Sequence, residues 1–154
     1  MKINFVKGDA TRPKGKGKKI ICHICNDYGA WGAGFVLALS KRWTYPEHFY
    51  RARHNYPLGQ VDILSVDTSN GMENEILVAN MIAQHGLHPN AEGVPPIRYD
   101  ALAIALKHVS KVAEDLGATL HMPRIGCGLA GGEWSNVQQI IEDNVHVDVT
   151  VYDL

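Results

Sequence analysis

Two glycine-rich segments contain the residue types that bind phosphate groups. They are Gly29-Ala30-Trp31-Gly32-Ala33-Gly34 and Gly126-Cys127-Gly128-Leu129-Ala130-Gly131-Gly132, and each follows an apolar, strand-like run and precedes a helix-like one. Glycine lets the backbone approach an anion closely, and the free N–H groups of the following helix point towards it. The pair predicts backbone cradles for a diphosphate, while a tight turn without a ligand is the alternative for either segment alone.

A few polar side chains follow the predicted strands and have the chemistry for acid–base work. Asp9 lies in the turn after the first strand, and His23 lies near the end of the second. Asn26 and Asp27 follow in the turn that leads to the first glycine segment. Histidine and carboxylate groups are common general acids and bases. A hydrogen-bonded core position for His23 and backbone-capping roles for Asn26 and Asp27 stay open as alternatives.

Two other kinds of phosphate chemistry fit the second segment poorly. Gly126-x-Gly128-x-x-Gly131 matches the dinucleotide fingerprint, but too few residues follow it to complete a Rossmann unit. A cysteine phosphatase needs an arginine six residues after its nucleophile, and Glu133 stands six residues after Cys127. The sequence therefore predicts that Cys127 is a passive small residue.

The composition indicates one compact domain over residues 1–154. The chain is 45% hydrophobic and 20% charged, and its formal net charge is −1, which gives no general reason for a polyanionic partner. Nothing in it resembles a membrane span or a secretory signal, so we expect a cytoplasmic protein without membrane contact. Cys22 and Cys25 lie in an apolar run and are expected to be buried and reduced, and neither a metal nor a cofactor is expected.

One basic segment, Arg12 to Lys19, favours a different function. Its five cations have the charge to contact nucleic acid phosphates. No aromatic residues interleave with them for base stacking, and the rest of the chain balances their charge. We therefore favour a solvated loop and keep nucleic acid binding as the less favoured alternative.

The elements that position these residues alternate between strands and helices. Strands are predicted over 2–6, 20–25, 60–66, 75–84 and 119–123, with a hairpin near Asn70-Gly71 and a last strand in which Val145, Val147, Val149 and Val151 alternate. Helices are predicted over 35–43, 46–54, 102–116 and 134–141. This order predicts an α/β protein, a three-layer α/β/α sandwich with a mixed central sheet. Ligands of such folds bind beyond the carboxyl ends of the strands.

Five short motifs, taken together and in this order, resemble a macrodomain along essentially the whole chain. They are Gly8-Asp9-Ala10-Thr11, Ile21-Cys22-His23-Ile24-Cys25-Asn26, the first glycine segment with Phe35, Pro123-Arg124-Ile125-Gly126-Cys127-Gly128-Leu129, and Val149-Thr150-Val151-Tyr152. The branch that they resemble most contains the terminal ADP-ribose protein glycohydrolase and the fungal ADP-ribose-1''-phosphate phosphatase.

The resemblance implies an ADP-ribose pocket. Asp9, with Ala10 beside it, would bind the adenine amino group, and Tyr152 would pack on the adenine ring. The distal ribose and one phosphate would lie against the first loop, at Asn26, Gly32, Ala33, Gly34 and Phe35. The diphosphate would lie in the second, at Ile125, Gly126, Cys127, Gly128 and Leu129.

The resemblance also implies a hydrolase acting at the terminal ribose, with His23, Asn26 and Asp27 as the candidate catalytic residues. The substrate would be ADP-ribose 1''-phosphate or an ADP-ribose adduct. Ala130 stands where the glycohydrolase has its catalytic aspartate. That enzyme also uses a lysine from the strand that corresponds to residues 81–84 here, and these residues include no lysine. The alternative is a macrodomain that binds ADP-ribose without hydrolysing it.

Overall fold

The computed structural model describes all 154 residues and contains one six-stranded sheet with four α-helices. The strands are β1 (Ile3–Lys7), β2 (Lys19–Asn26), β3 (Val61–Asp67), β4 (Ile76–Gln84), β5 (Thr119–Met122) and β6 (Val149–Asp153). The helices are α1 (Phe35–Arg42), α2 (Tyr45–Arg51), α3 (Tyr99–Leu116) and α4 (Trp134–Asn144).

The strand order is β1-β6-β5-β2-β4-β3. All neighbouring strands are parallel except β3, which runs antiparallel to β4. The predicted α/β class with a mixed sheet is therefore confirmed. The carboxyl ends of the five parallel strands share one edge of the sheet, and the loops that follow β1, β2, β4 and β5 all begin there.

Helices cover both faces of the sheet because β2 is apolar on both sides. Ile20 and Cys22 belong to the larger core, which α3 and α4 cover. Ile21 and Cys25 belong to the smaller core, which α1 and α2 cover. A central parallel strand has no face in solvent, which explains its nearly continuous apolar run. None of the helices is both long and apolar enough to cross a membrane.

One local prediction is confirmed, and the predicted start of the last strand was wrong. The predicted hairpin near Asn70-Gly71 is confirmed, because β3 and β4 form an antiparallel pair, which residues 68–75 connect through a 3-10 turn at Met72–Asn74. Gly71 has a positive φ of 91°, whereas no residue other than glycine has one. The last strand begins at Val149, because Val145 caps the C-terminus of α4 and the chain turns before β6. Val145 is still buried in the core, which accounts for the extended apolar alternation.

Candidate functional site

A cavity lies beyond the carboxyl end of β2, between the two glycine-rich segments. We call these loop A (residues 27–34) and loop B (residues 123–133). The cavity has a volume of about 700 Å³, within the range of about 300–1,000 Å³ that small-molecule sites occupy. It is lined by His23–Asn26, Ala30–Val36, Gln84, Leu87–Pro89 and Pro123–Ala130 except Cys127.

Asn26 determines the shape of loop A. Its Oδ1 accepts hydrogen bonds from the backbone N–H groups of Tyr28, at 3.0 Å, and Ala30, at 3.1 Å. Its Nδ2 donates to the Ala30 carbonyl at 2.7 Å, and the buried Tyr50 hydroxyl donates to the Asn26 carbonyl. The side chain therefore folds the loop over the end of β2, in the capping role that the sequence left open.

The far end of loop A presents unused backbone donors to the cavity. The N–H groups of residues 32–35 donate no hydrogen bond within the chain. Gly34, with a φ of 78°, precedes the first turn of α1. Such a helix start carries a partial positive charge and orients its N–H groups outwards, which favours an anion.

Loop B presents a second set of donors and is closed by its own backbone. Gly132 N–H donates to the Gly126 carbonyl at 2.7 Å, and Gly131 N–H donates to the Gly128 carbonyl at 3.0 Å. The N–H groups of residue 126 and residues 128–130 donate no hydrogen bond within the chain. The two loops thus contribute eight residues to the cavity lining whose N–H groups donate no hydrogen bond within the chain.

Cys127 differs from its neighbours in loop B because its side chain does not line the cavity. It packs against the larger core, and its Sγ donates to the Ile125 carbonyl at 3.4 Å. Burial raises the pKa of the Cys127 thiol, so the thiolate form is disfavoured. This agrees with the passive role expected from the sequence.

His23 is almost completely buried below loop A, under the rings of Trp31 and Phe35. Asn80 Nδ2 donates to the Pro46 carbonyl at 3.1 Å, so its Oδ1 faces His23 Nε2 at 2.6 Å. Nε2 therefore carries the proton, and Nδ1 is an acceptor with no partner in the chain. Burial lowers the pKa of His23 to about 4, so the ring is neutral near pH 7.

Asp27 does not line the cavity, although Asn26 beside it does. Its Oδ1 accepts from Gly86 N–H at 2.9 Å, and its Oδ2 accepts from His85 Nδ1 at 2.7 Å. The pair connects the ends of β2 and β4. Sequence reasoning missed His85 and the cavity wall at residues 87–89, because nothing local in the sequence indicates that β4 lies beside β2.

Asp9, Ala10 and Tyr152 lie outside the cavity lining. Tyr152 is only 3% exposed, and its hydroxyl accepts a hydrogen bond from Lys14 N–H at 2.9 Å while it contacts His121 Nδ1 at 2.8 Å. The structure therefore brings the residues of loops A and B together around one cavity and leaves the expected adenine contacts at its side. Their role in binding stays a prediction.

The basic segment is partly used within the fold. Lys18 pairs with Glu75 at 3.3 Å, and the buried Lys19 donates to the Gly17 carbonyl at 2.8 Å. Lys14 Nζ donates to the Lys7 carbonyl at 2.9 Å. Three of its five cations therefore have intramolecular partners, which weakens the case for a phosphate-binding strip.

Comparison with known proteins agrees with this architecture, although no protein-family model matches the chain. The fold and the cavity define an α/β domain with paired glycine loops at the carboxyl edge of its sheet. A solved macrodomain protein from Streptomyces coelicolor is 44% identical, covers 99% of this chain and 99% of its own, and superposes with a TM-score of 0.82. The chain therefore belongs to the macrodomain family.

Two further relatives differ in length, because one is much longer than this chain and the other is about as long. Chromodomain-helicase-DNA-binding protein 1-like from Mus musculus is 30% identical over 149 residues, which are 93% of this chain but 16% of the relative. ADP-ribose 1''-phosphate phosphatase from Candida albicans is 27% identical over 160 residues, which are 97% of this chain and 99% of the relative. The chain thus spans a small part of the first relative and nearly all of the second.

Proposed function

We propose that this macrodomain binds ADP-ribose or a derivative in the cavity and hydrolyses it at the terminal ribose. The observation that carries the proposal is the set of eight free backbone N–H groups around one cavity of about 700 Å³. No lysine lines this cavity, and Arg124 is the one fixed cation that does. Neutral loops that present backbone donors match a diphosphate whose two ends carry uncharged groups.

The position of the ligand follows from the order of the strands. Asp9 follows β1, loop B follows β5, loop A follows β2, and all three begin at the same edge of the sheet. Asp9 Oδ1 accepts from the N–H and hydroxyl groups of Thr11, while its Oδ2 has no partner in the chain. We therefore place the adenine amino group near Asp9, the diphosphate between the loops, and the terminal ribose towards β4.

The three candidate catalytic residues differ in the hydrogen bonds that they make within the chain. Asn26 positions loop A, and Asp27 positions the end of β4. His23 keeps one free acceptor, Nδ1, which suits a hydroxyl or a water at the floor of the cavity. A buried acceptor without a partner costs about 1–3 kcal/mol, so a donor from the ligand would relieve that cost.

A phosphate ester is the first substrate to test, because a relative that matches over nearly its full length is named ADP-ribose 1''-phosphate phosphatase. Release of ADP-ribose from a modified macromolecule is the second. Binding without turnover would make the domain an ADP-ribose reader. The cytoplasmic location expected from the sequence stays a prediction.

Calorimetric titration with ADP-ribose, with AMP as the control ligand, tests the pocket. We expect one-to-one binding of ADP-ribose and much weaker binding of AMP, which lacks the second phosphate and the terminal ribose. Phosphate release from ADP-ribose 1''-phosphate then tests the chemistry. Absence of heat at high ADP-ribose concentration would refute the binding site, whereas binding without product from either substrate would refute the hydrolysis alone.

A further inference from the structure

Asp27 and His85 form a carboxylate–histidine pair at the edge of the cavity. They are the first residues after β2 and β4, and the parallel pairing of those strands places them side by side. Asp27 Oδ2 lies 2.7 Å from His85 Nδ1. The Asp27 side chain is 15% exposed and the His85 side chain 53%, so the carboxylate is sheltered and the ring reaches solvent.

The pairing determines which ring nitrogen is free. A carboxylate only accepts hydrogen bonds, so His85 Nδ1 must carry the proton. Asp27 Oδ1 is held at the same time by Gly86 N–H, and the Tyr28 ring contacts His85 edge-on at 6.0 Å between centroids. His85 Nε2 has no partner in the chain and points away from Asp27 on the opposite side of the ring.

The strand order places this pair at the terminal-ribose end of the proposed ligand. Along the carboxyl edge the sequence is β1, β6, β5, β2 and β4, which separates Asp9 from His85 by four strand steps of about 4.8 Å each. Residues on both sides of the pair, Asn26 and Leu87, line the cavity. The pair therefore borders the cavity at the end opposite to Asp9.

The cavity lining itself lacks a comparable base. No carboxylate lines it, and His23 is buried with one nitrogen bound to Asn80. The exposed His88 lines the cavity but has no carboxylate partner. Histidine with a carboxylate on its far nitrogen is a common arrangement for proton transfer, because the carboxylate fixes the tautomer and stabilises the imidazolium that forms.

We propose that His85 is the general base of the proposed hydrolysis and that Asp27 is its positioning residue. With ADP-ribose 1''-phosphate, a water oxygen attacks phosphorus, the bond between phosphorus and O1'' breaks, and the bonding electrons stay on O1''. His85 Nε2 takes a proton from the attacking water and releases it to solvent, and the leaving O1'' on the opposite side of phosphorus takes a proton from solvent. The products are ADP-ribose and inorganic phosphate. This inference rests on the proposed function.

Phosphate release from ADP-ribose 1''-phosphate by His85→Gln, Asp27→Asn and wild type tests the proposal. General acid–base catalysis contributes a factor of about 10² to 10⁴ to the rate. We therefore expect kcat of His85→Gln to be lower than that of wild type by about this factor. Asp27→Asn keeps the acceptor for Gly86 N–H but no longer fixes the tautomer, and kcat should fall by at least about tenfold. The acidic limb of the wild-type kcat/KM profile should disappear in His85→Gln.

Two controls keep the outcomes separate. His54→Gln changes an exposed histidine after α2, outside the cavity, and should leave turnover within about twofold. The dissociation constant of ADP-ribose should stay within about twofold in both test variants, because ADP-ribose lacks the 1''-phosphate at which His85 is proposed to act. Wild-type turnover that persists in His85→Gln overturns this inference alone. Absence of wild-type turnover overturns the proposed hydrolysis and this inference together.

Discussion

Alanine substitutions at two glycines of loop B should separate stability from ligand binding. Gly126 has a φ of 75°, and a Cβ added there would lie 2.5 Å from Ile97 Cδ1 and 3.1 Å from Ile24 Cδ1. A Cβ on Gly128 would meet no atom within 4 Å, and its φ lies outside the left-handed region. The same methyl group therefore enters a filled core at one position and open space at the other.

The magnitudes follow from these environments. For Gly126→Ala, a left-handed backbone costs about 1–2 kcal/mol, and overpacking a filled core costs about 1–3 kcal/mol. The lower entropy of the unfolded chain offsets about 0.4–1 kcal/mol of this. We expect a net loss of about 2–4 kcal/mol in the free energy of unfolding, which corresponds to about 5–15 °C in Tm at this chain length. Gly128→Ala should stay within about 0.5 kcal/mol of wild type.

ADP-ribose binding should be weakened more by Gly128→Ala than by Gly126→Ala. The methyl group of Gly128→Ala would stand between the loop B donors and a phosphate, and loss of a hydrogen bond to a charged group costs about 1.5–3 kcal/mol. ADP-ribose affinity should therefore fall by about tenfold or more. Urea unfolding and calorimetry on both variants measure the two effects. A Gly126→Ala protein as stable as wild type, or a Gly128→Ala protein with unchanged ADP-ribose affinity, would refute the reasoning for that position.

Three further predictions follow from named groups. Asp9→Asn keeps the Oδ1 acceptor for Thr11 but replaces the free carboxylate oxygen by an N–H donor. Calorimetry should therefore show about tenfold weaker ADP-ribose binding, with little change in Tm. Equal affinity in the variant and wild type would remove Asp9 from the site. Burial lowers the pKa of His23 and His121 to about 4 in the folded protein, against about 6.5 in the unfolded chain. The unfolded chain then binds more protons between these values, so the free energy of unfolding should fall by about 2 kcal/mol per histidine between pH 7 and pH 5; equal urea midpoints at both pH values would contradict this. ADP-ribose affinity should depend weakly on salt, because Arg124 is the one fixed cation in the cavity lining; a steep, nucleic-acid-like salt slope would contradict the backbone cradle.

Local patterns in the sequence determined much of the architecture. Apolar positions at three- and four-residue steps predicted α3, and most of those up to Ala113 are buried in the core, whereas Leu116 is exposed. Gly117, in the left-handed conformation, ends the helix. The glycines of loops A and B predicted donors at the start of a helix, because the conformations that expose N–H groups to an anion depend on local residue type. These features need no knowledge of distant contacts.

The sites that the sequence described least well depend on which strands are neighbours. Tyr152 lies near the end of β6, and its 3% exposure results from the packing of the residue 8–14 loop and His121 around it. The tautomer of His23 depends on Asn80 in β4 and on Pro46 in α2. Neither partner is close in the chain.

The difference has a physical reason. Side-chain periodicity and glycine conformation are set within a few residues, so the sequence alone determined most of the elements, the mixed α/β class and the two glycine-rich loops. Strand order and register are set by the packing of the whole core, which placed Asp27 against His85 across 58 residues of chain. Only the tertiary structure decided which titratable groups meet at the edge of the cavity, because hydrogen bonds between side chains depend on distances that no local pattern encodes.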